Sequence, residues 1–150
     1  MKLDSCYEML SAKHFKDSID LTMKVLLVED SALLREAIMD TLADCTEIAI
    51  VDSAGTQTKA IDLLKSQQFD MVLVDIELAQ GNGFEVIRHM QSADYHFQPP
   101  VLIMLTNHAY PYYRLMAKQL GVNYFFDKSM DFDLAIDTIM HEAERFKLKH

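Results

Sequence analysis

The sequence predicts an α/β fold: one five-stranded parallel sheet covered by helices on both faces. Three observations predict it. Short apolar runs recur along the chain, segments with helical spacing separate them, and run and segment alternate five times. The runs are "KVLLV" (24–28), "EIAIV" (47–51), "MVLVD" (71–75), "VLIML" (101–105) and "NYFF" (123–126). A parallel strand covered on both faces has no wet side, so it reads as a continuous apolar run rather than an alternating one.

The segments between the runs justify the helices in order. After the first run, Ser31 can cap a helix in which Leu34, Ala37, Ile38, Thr41 and Leu42 share a face. The stretches "TQTKAIDLLKSQQ" (56–68) and "GFEVIRHMQSAD" (83–94) repeat that spacing, and "ADYHFQPP" (93–100) reads as a surface loop. In "YPYYRLMAKQLG" (110–121), Pro111 falls in the first turn and Gly121 just past the end. In "DFDLAIDTIMHEAERF" (131–146), Phe132, Ile136, Ile139, Ala143 and Phe146 form one stripe.

The composition narrows the function classes. The chain has 150 residues, enough for one domain with a real core, and half of them are hydrophobic. A formal net charge of −9 disfavours direct DNA binding, because phosphate backbones call for a Lys/Arg surface. No apolar run approaches a membrane span, and "MKLDSCYEML" lacks the apolar core of a secretory signal, so no membrane insertion and a cytoplasmic location are expected. Cys6 and Cys45 read as reduced thiols, and His14, His89, His96, His141 and His150 show no ligand spacing.

In such a sheet, ligands bind outside the carboxyl ends of the strands. There the sequence places Glu29 and Asp30 after the first run and Asp75, with Glu77 beyond it, in the third. Thr106, Asn107 and His108 follow the fourth run, and Lys128 follows the fifth. Three crowded carboxylates resist ionisation unless a cation sits among them. Hard oxygen donors suit Mg2+, and the sulfur or imidazole set that zinc favours is missing. A carboxylate beside a metal, an ammonium and a hydroxyl is a place to receive a phosphoryl group.

The ordered set "VLLVED", "VLVDIEL" with Gly83 beyond it, "MLTN" and "FFDKS" resembles the receiver domain of bacterial two-component response regulators. The likeness spans residues 23–150 and is to the stand-alone type, similar to the chemotaxis response regulator. The resemblance implies a doubly wound, flavodoxin-like sheet of order 2-1-3-4-5. It implies that Asp75 is the phosphoacceptor, and that Glu29, Asp30, Asp75 and the backbone carbonyl of Glu77 hold Mg2+. Lys128 and Thr106 would contact the phosphoryl group, with Thr106 and Phe125 as the switch pair. Glu77, Asn107 and His108 would modulate the dephosphorylation rate. The implied partners are a sensor histidine kinase or histidine phosphotransfer protein and a downstream protein target; a homodimer is left open. The domain is expected to assist only its own phosphorylation and dephosphorylation, and not to be an enzyme otherwise.

Three positions depart from the family pattern. Ala79 stands where proline is common, which predicts a looser loop; Asn107 stands where a small residue is usual; Ser129 follows Lys128 where many members have proline. The residues end soon after the fifth helical segment, so signalling through protein contacts or a phosphorelay is expected. Residues 1–22 form an N-terminal extension with two open readings: translated sequence upstream of a start at Met23, or a helix that packs on the domain or a partner. A docking-only receiver fold is the alternative function. An aspartyl-nucleophile phosphatase fits less well, because it wants a second Asp where Glu77 stands. A flavin or nucleotide module lacks its glycine fingerprint.

Overall fold

A computed structural model of the chain describes residues 21–150. The extension therefore lies, but for Leu21 and Thr22, outside the described residues, as do Cys6 and His14. Strands and helices alternate as β1 (Met23–Val28), α1 (Ala32–Leu42), β2 (Ile48–Ala54), α2 (Gln57–Ser66), β3 (Met71–Val74), α3 (Gly83–Met90), β4 (Val101–Thr106), α4 (Pro111–Gln119), β5 (Tyr124–Asp127) and α5 (Phe132–Lys149). All neighbouring strands are parallel, in the order β2-β1-β3-β4-β5. The doubly wound sheet read from the sequence is thus present.

Period-two alternation divides β1 between two cores. Val25 and Leu27 join Ile38, Leu42, Ile136 and Ile139 on the face of α1 and α5. Leu26 and Val28 join Ala60, Leu64, Phe84 and Ile87 on the face of α2, α3 and α4. Every residue of β3 is buried, as a central strand requires. Each such side chain contributes about 1.5–3 kcal/mol on leaving water, so the two sheet faces, not helix propensity, hold the helices in place.

The helix starts follow the local chemistry. The hydroxyl of Ser31 accepts from the Leu34 N–H at 3.2 Å, that of Thr56 from Lys59 at 3.1 Å, and the Asn82 side chain from Glu85 at 3.1 Å. Pro111 opens α4, and Gly121 takes φ +79° just beyond it. Some boundaries differ from the sequence reading. β2 continues to Ala54 because Asp52, Ser53 and Ala54 pair with Leu26, Leu27 and Val28; polar residues outside the apolar run read as a turn until that pairing is known. α3 stops at Met90, where Gln91 caps it, and α5 runs on to Lys149. Among the described residues, no helix is long and apolar enough to cross a membrane.

Strand register decides what meets at the carboxyl edge. Val28 pairs with Val74, Val74 with Met104, and Thr106 with Asp127. The next residues therefore come level: the Asp75 N–H donates to Val28 O at 3.0 Å, and the Lys128 N–H to Thr106 O at 2.9 Å.

Candidate functional site

Three polar side chains are buried where the register brings the strand ends together: Glu29, Asp75 and Thr106. Asp30, one residue past Glu29, is exposed at the rim. Carboxylate oxygens of Glu29, Asp30 and Asp75 all lie within 4.8 Å of one another. The Lys128 ammonium reaches in from the end of β5, 2.7 Å from Asp75 Oδ2 and 3.0 Å from Glu29 Oε2. Asp75 Oδ1 is buried and has no hydrogen-bond partner among the described residues. A buried carboxylate oxygen left bare is costly unless something else comes to it. With three acids around it, the arrangement fits a hard divalent cation held by oxygens.

The charges respond to this crowding. Burial pushes the Glu29 carboxyl up from 4.5 to about 7, and the Asp75 charge adds to the push, while Lys128 opposes it. Burial alone would lower the Lys128 ammonium, but its hydrogen bonds to Asp75 and Glu29 outweigh that and hold it above the usual lysine range.

The remaining sequence-predicted residues surround this centre. The Thr106 Oγ1 accepts from the His108 N–H at 3.1 Å, which leaves its proton free to donate inward. His108 Nε2 lies 2.9 Å from Glu77 Oε2, so the loop after β4 is bridged to the loop after β3 across the mouth of the site. Glu77 also pairs with Asn82, which folds that loop back on itself. Gly83 closes it: a Cβ there would stand 2.1 Å from Asp75 O, a space that no other residue could enter. Asn107 is exposed on the β4–α4 loop. Phe125 is half-buried against the α2–α3–α4 core, with the Arg114 guanidinium 4.9 Å from its ring centroid. From Asp30 and Glu77 a cleft of about 560 Å³ runs over Leu78 and Phe84 to Tyr113 and Arg88.

Arg35 escaped the sequence reading, as did a second role of Ser31 beside its cap. Arg35 Nη1 donates to Glu29 O at 2.6 Å, and the Ser31 N–H donates to Glu29 Oε1 at 3.1 Å, so the start of α1 holds Glu29 by its backbone and its side chain. The signal for Arg35 was a cation one turn into the helix that follows two acids. Its target is a carbonyl, which every residue has, so spacing could not single it out. The expectation of a looser loop at Ala79 also changes: the Ala79 N–H, which proline lacks, donates to Gly55 O at 3.0 Å.

Known proteins agree with this geometry. The response regulator receiver domain family matches residues 25–140. A protein-glutamate methylesterase/protein-glutamine glutaminase of Geobacillus kaustophilus is 27% identical over 132 residues, 82% of this chain and 37% of that protein. The sensory transduction protein LytT of Bacillus cereus is 28% identical over 117 residues, covering 78% of this chain and 46% of that one. The chain thus spans less than half the length of these curated relatives. Among solved structures, the signal receiver domain of a LuxO repressor protein from Vibrio parahaemolyticus superposes with a TM-score of 0.72 at 23% identity, covering 85% of this chain and 95% of that one. At that identity the match speaks for the fold alone.

One expectation is overturned. The sequence reading set the domain apart from enzymes, yet relatives of this chain include methylesterases/glutaminases, so kinship of this kind does not separate it from them. The shared part is a fraction of those proteins, and no esterase activity follows from it for this chain. Receiver domains bind Mg2+ at an acidic pocket and interact with histidine kinases or phosphotransfer proteins, and this chain carries an acidic cluster of Glu29, Asp30 and Asp75 at its strand ends. With the sheet order, the acid cluster and the match over residues 25–140 in agreement, this chain belongs to the response regulator receiver domain family.

Proposed function

We propose that Asp75 accepts a phosphoryl group from a phosphohistidine on a sensor histidine kinase or histidine phosphotransfer protein, in a receiver unit spanning residues 23–150. The observation that carries this reading is the state of the Asp75 carboxylate. One oxygen is held by Lys128 at 2.7 Å and the other is buried and bare, so the first orients the group and the second is left to react. Glu29, Asp30, Asp75 and the Glu77 carbonyl would hold Mg2+, which supplies charge neutralisation for the phosphoryl oxygens when bound.

The chain's own groups perform the rest. The free Asp75 oxygen forms the new O–P bond as the donor's P–N bond breaks, and the bond pair leaves with the imidazole nitrogen, which takes up a proton. Lys128, already shared by two carboxylates, turns toward the incoming oxygens. The Thr106 hydroxyl donates to the phosphoryl group, drawing the β4–α4 loop inward, and Phe125 fills the space this leaves. A carboxylate becomes an acyl phosphate with about −1.5 to −2 charges, a local event that biases a two-state surface.

Exposed apolar residues support the partner assignments. Leu33 (80% exposed) and Met130 (81%) follow Asp30 and Lys128 closely in the chain, where a donor must approach. Tyr112 and Leu115 of α4 and Leu134 of α5 are also exposed, on the face flanking β5, and suit a downstream protein target. The net charge of −9 disfavours DNA there.

The test is incubation with acetyl phosphate followed by intact mass. One phosphoryl group is expected with Mg2+, none with EDTA, and none in Asp75→Asn. Labelling that persists in Asp75→Asn would overturn the assignment, and an inert wild type would favour a docking-only receiver.

A further inference from the structure

We infer that the turn opening α2 is a positioning element for the metal site, with Gln57, Thr58 and Gln80 as its positioning residues. The inference rests on the reading that the Glu77 carbonyl faces Mg2+, and it concerns what holds that carbonyl in place.

The loop from Asp75 to Gly83 is stitched to the start of α2 by five hydrogen bonds. The Gln80 side-chain carbonyl accepts from both the Thr58 N–H (3.0 Å) and the Thr58 hydroxyl (2.9 Å). The Gln57 N–H donates to Gln80 O at 2.8 Å, and the Ala79 N–H to Gly55 O at 3.0 Å. The Gln57 side-chain carbonyl accepts from the Asn82 N–H at 3.1 Å. The fit is close as well as polar. Gly81 takes φ +74°, and a Cβ there would lie 2.1 Å from Gln57 Oε1, so the two segments touch with no side chain between them.

These bonds differ from the ordinary support of a surface loop. Glu77 sits between Asp75, anchored by β3, and residues 79–82, anchored by α2. Its own side chain is exposed and bonded only to the His108 imidazole on the neighbouring loop, so it does not fix the backbone. The position of the Glu77 peptide is therefore set from both flanks, and the downstream flank is held through Gln57 and Gln80. Loosening that flank costs the metal a preorganised ligand and leaves the carboxylates of Glu29, Asp30 and Asp75 in place. The same contacts run in reverse: metal binding should tighten the α2 N-terminus.

The test is the Mg2+ dissociation constant by calorimetric titration of wild type, Gln80→Ala, Thr58→Val and the double variant, with thermal melts alongside. Gln80→Ala is expected to weaken Mg2+ binding about three- to tenfold, in line with the loss of one or two hydrogen bonds. Thr58→Val should weaken it less, and the two effects should not add. At saturating Mg2+ the acetyl phosphate labelling rate should return to the wild-type value. If wild type binds Mg2+ and Asp30→Ala abolishes it, but Gln80→Ala and Thr58→Val bind as wild type does, the inference is overturned while the metal site stands. If wild type does not bind Mg2+, the underlying reading fails first. Should Gln80→Ala melt early, Thr58→Val, which removes only a surface hydroxyl bond, decides the matter alone.

Discussion

The Arg114 guanidinium lies over the Phe125 ring, 4.9 Å from its centroid, and Arg114 Nη1 reaches Phe125 O at 3.4 Å. A cation on α4 thus caps the aromatic of β5 from the solvent side. A partly exposed contact of this kind is worth about 0.5–1 kcal/mol, small enough for a phosphoryl group at Asp75 to overcome. Beryllofluoride with Mg2+ should therefore shift backbone amides across residues 109–128, and Phe125→Ala should shrink the response. Arg114→Ala should show part of the shift before any mimic is added. Changes confined to the loops bearing Asp30, Asp75 and Thr106 would reduce the domain to a phosphoryl carrier without conformational output.

Lys128 holds two buried carboxylates at once. Lys128→Ala leaves Asp75 and Glu29 buried without their cation, a loss of about 3–5 kcal/mol by the usual cost of breaking such a pair. Chemical denaturation in EDTA should register it, and Mg2+ should restore part of the loss. A change below about 1 kcal/mol in EDTA would mean that water screens the cluster more than its burial indicates.

Glu29 provides a pH signature. Its carboxyl is raised from 4.5 to about 7, chiefly by burial, so the metal-free fold takes up a proton more readily than the unfolded chain. The resulting stability is fully present below pH 4.5 and is lost as pH rises through 7. A cation competes with that proton. Mg2+ affinity should accordingly rise between about pH 6 and 8, with proton release detectable by calorimetry in buffers of different ionisation heat. Glu29→Gln should flatten the rise; a Glu29→Gln profile as steep as wild type would place the titration elsewhere.

The bridge from His108 to Glu77 joins the loops through which water would reach an acyl phosphate on Asp75. Asn107 is exposed on the loop that carries His108. A long-lived phosphoform is expected, and His108→Ala and Asn107→Ala should each hasten its decay by a few-fold, about 1 kcal/mol in barrier. Slower decay in either variant would mean that the side chain orients the attacking water instead of obstructing it.

Much of this protein was readable in one dimension. Buried parallel strands must be apolar along their whole length, so "VLLV" and "MVLV" announced β1 and β3, and the acids that follow them stood out because nothing in such a strand calls for charge. Ser31 and Pro111 marked helix starts through local chemistry that needs no tertiary partner. The ends were harder. β2 extends through Asp52 and Ser53 because pairing with β1 holds them, and an edge strand has no hydrophobic signature on its open side.

What the sequence by itself determined is therefore the alternation, the central strands and the identity of Glu29, Asp30, Asp75, Thr106 and Lys128 as groups gathered at one edge. Only the tertiary structure decided how they meet. Strand register brings Lys128 to 2.7 Å from one Asp75 oxygen and leaves the other bare. The supports of the site, namely Arg35 on the Glu29 carbonyl, Gln80 on Thr58 and Gln57 on Asn82, stayed hidden. Each joins a side chain to backbone or to a distant loop, and the backbone is the same at every residue, so such contacts leave no mark on the order of amino acids until the chain has folded.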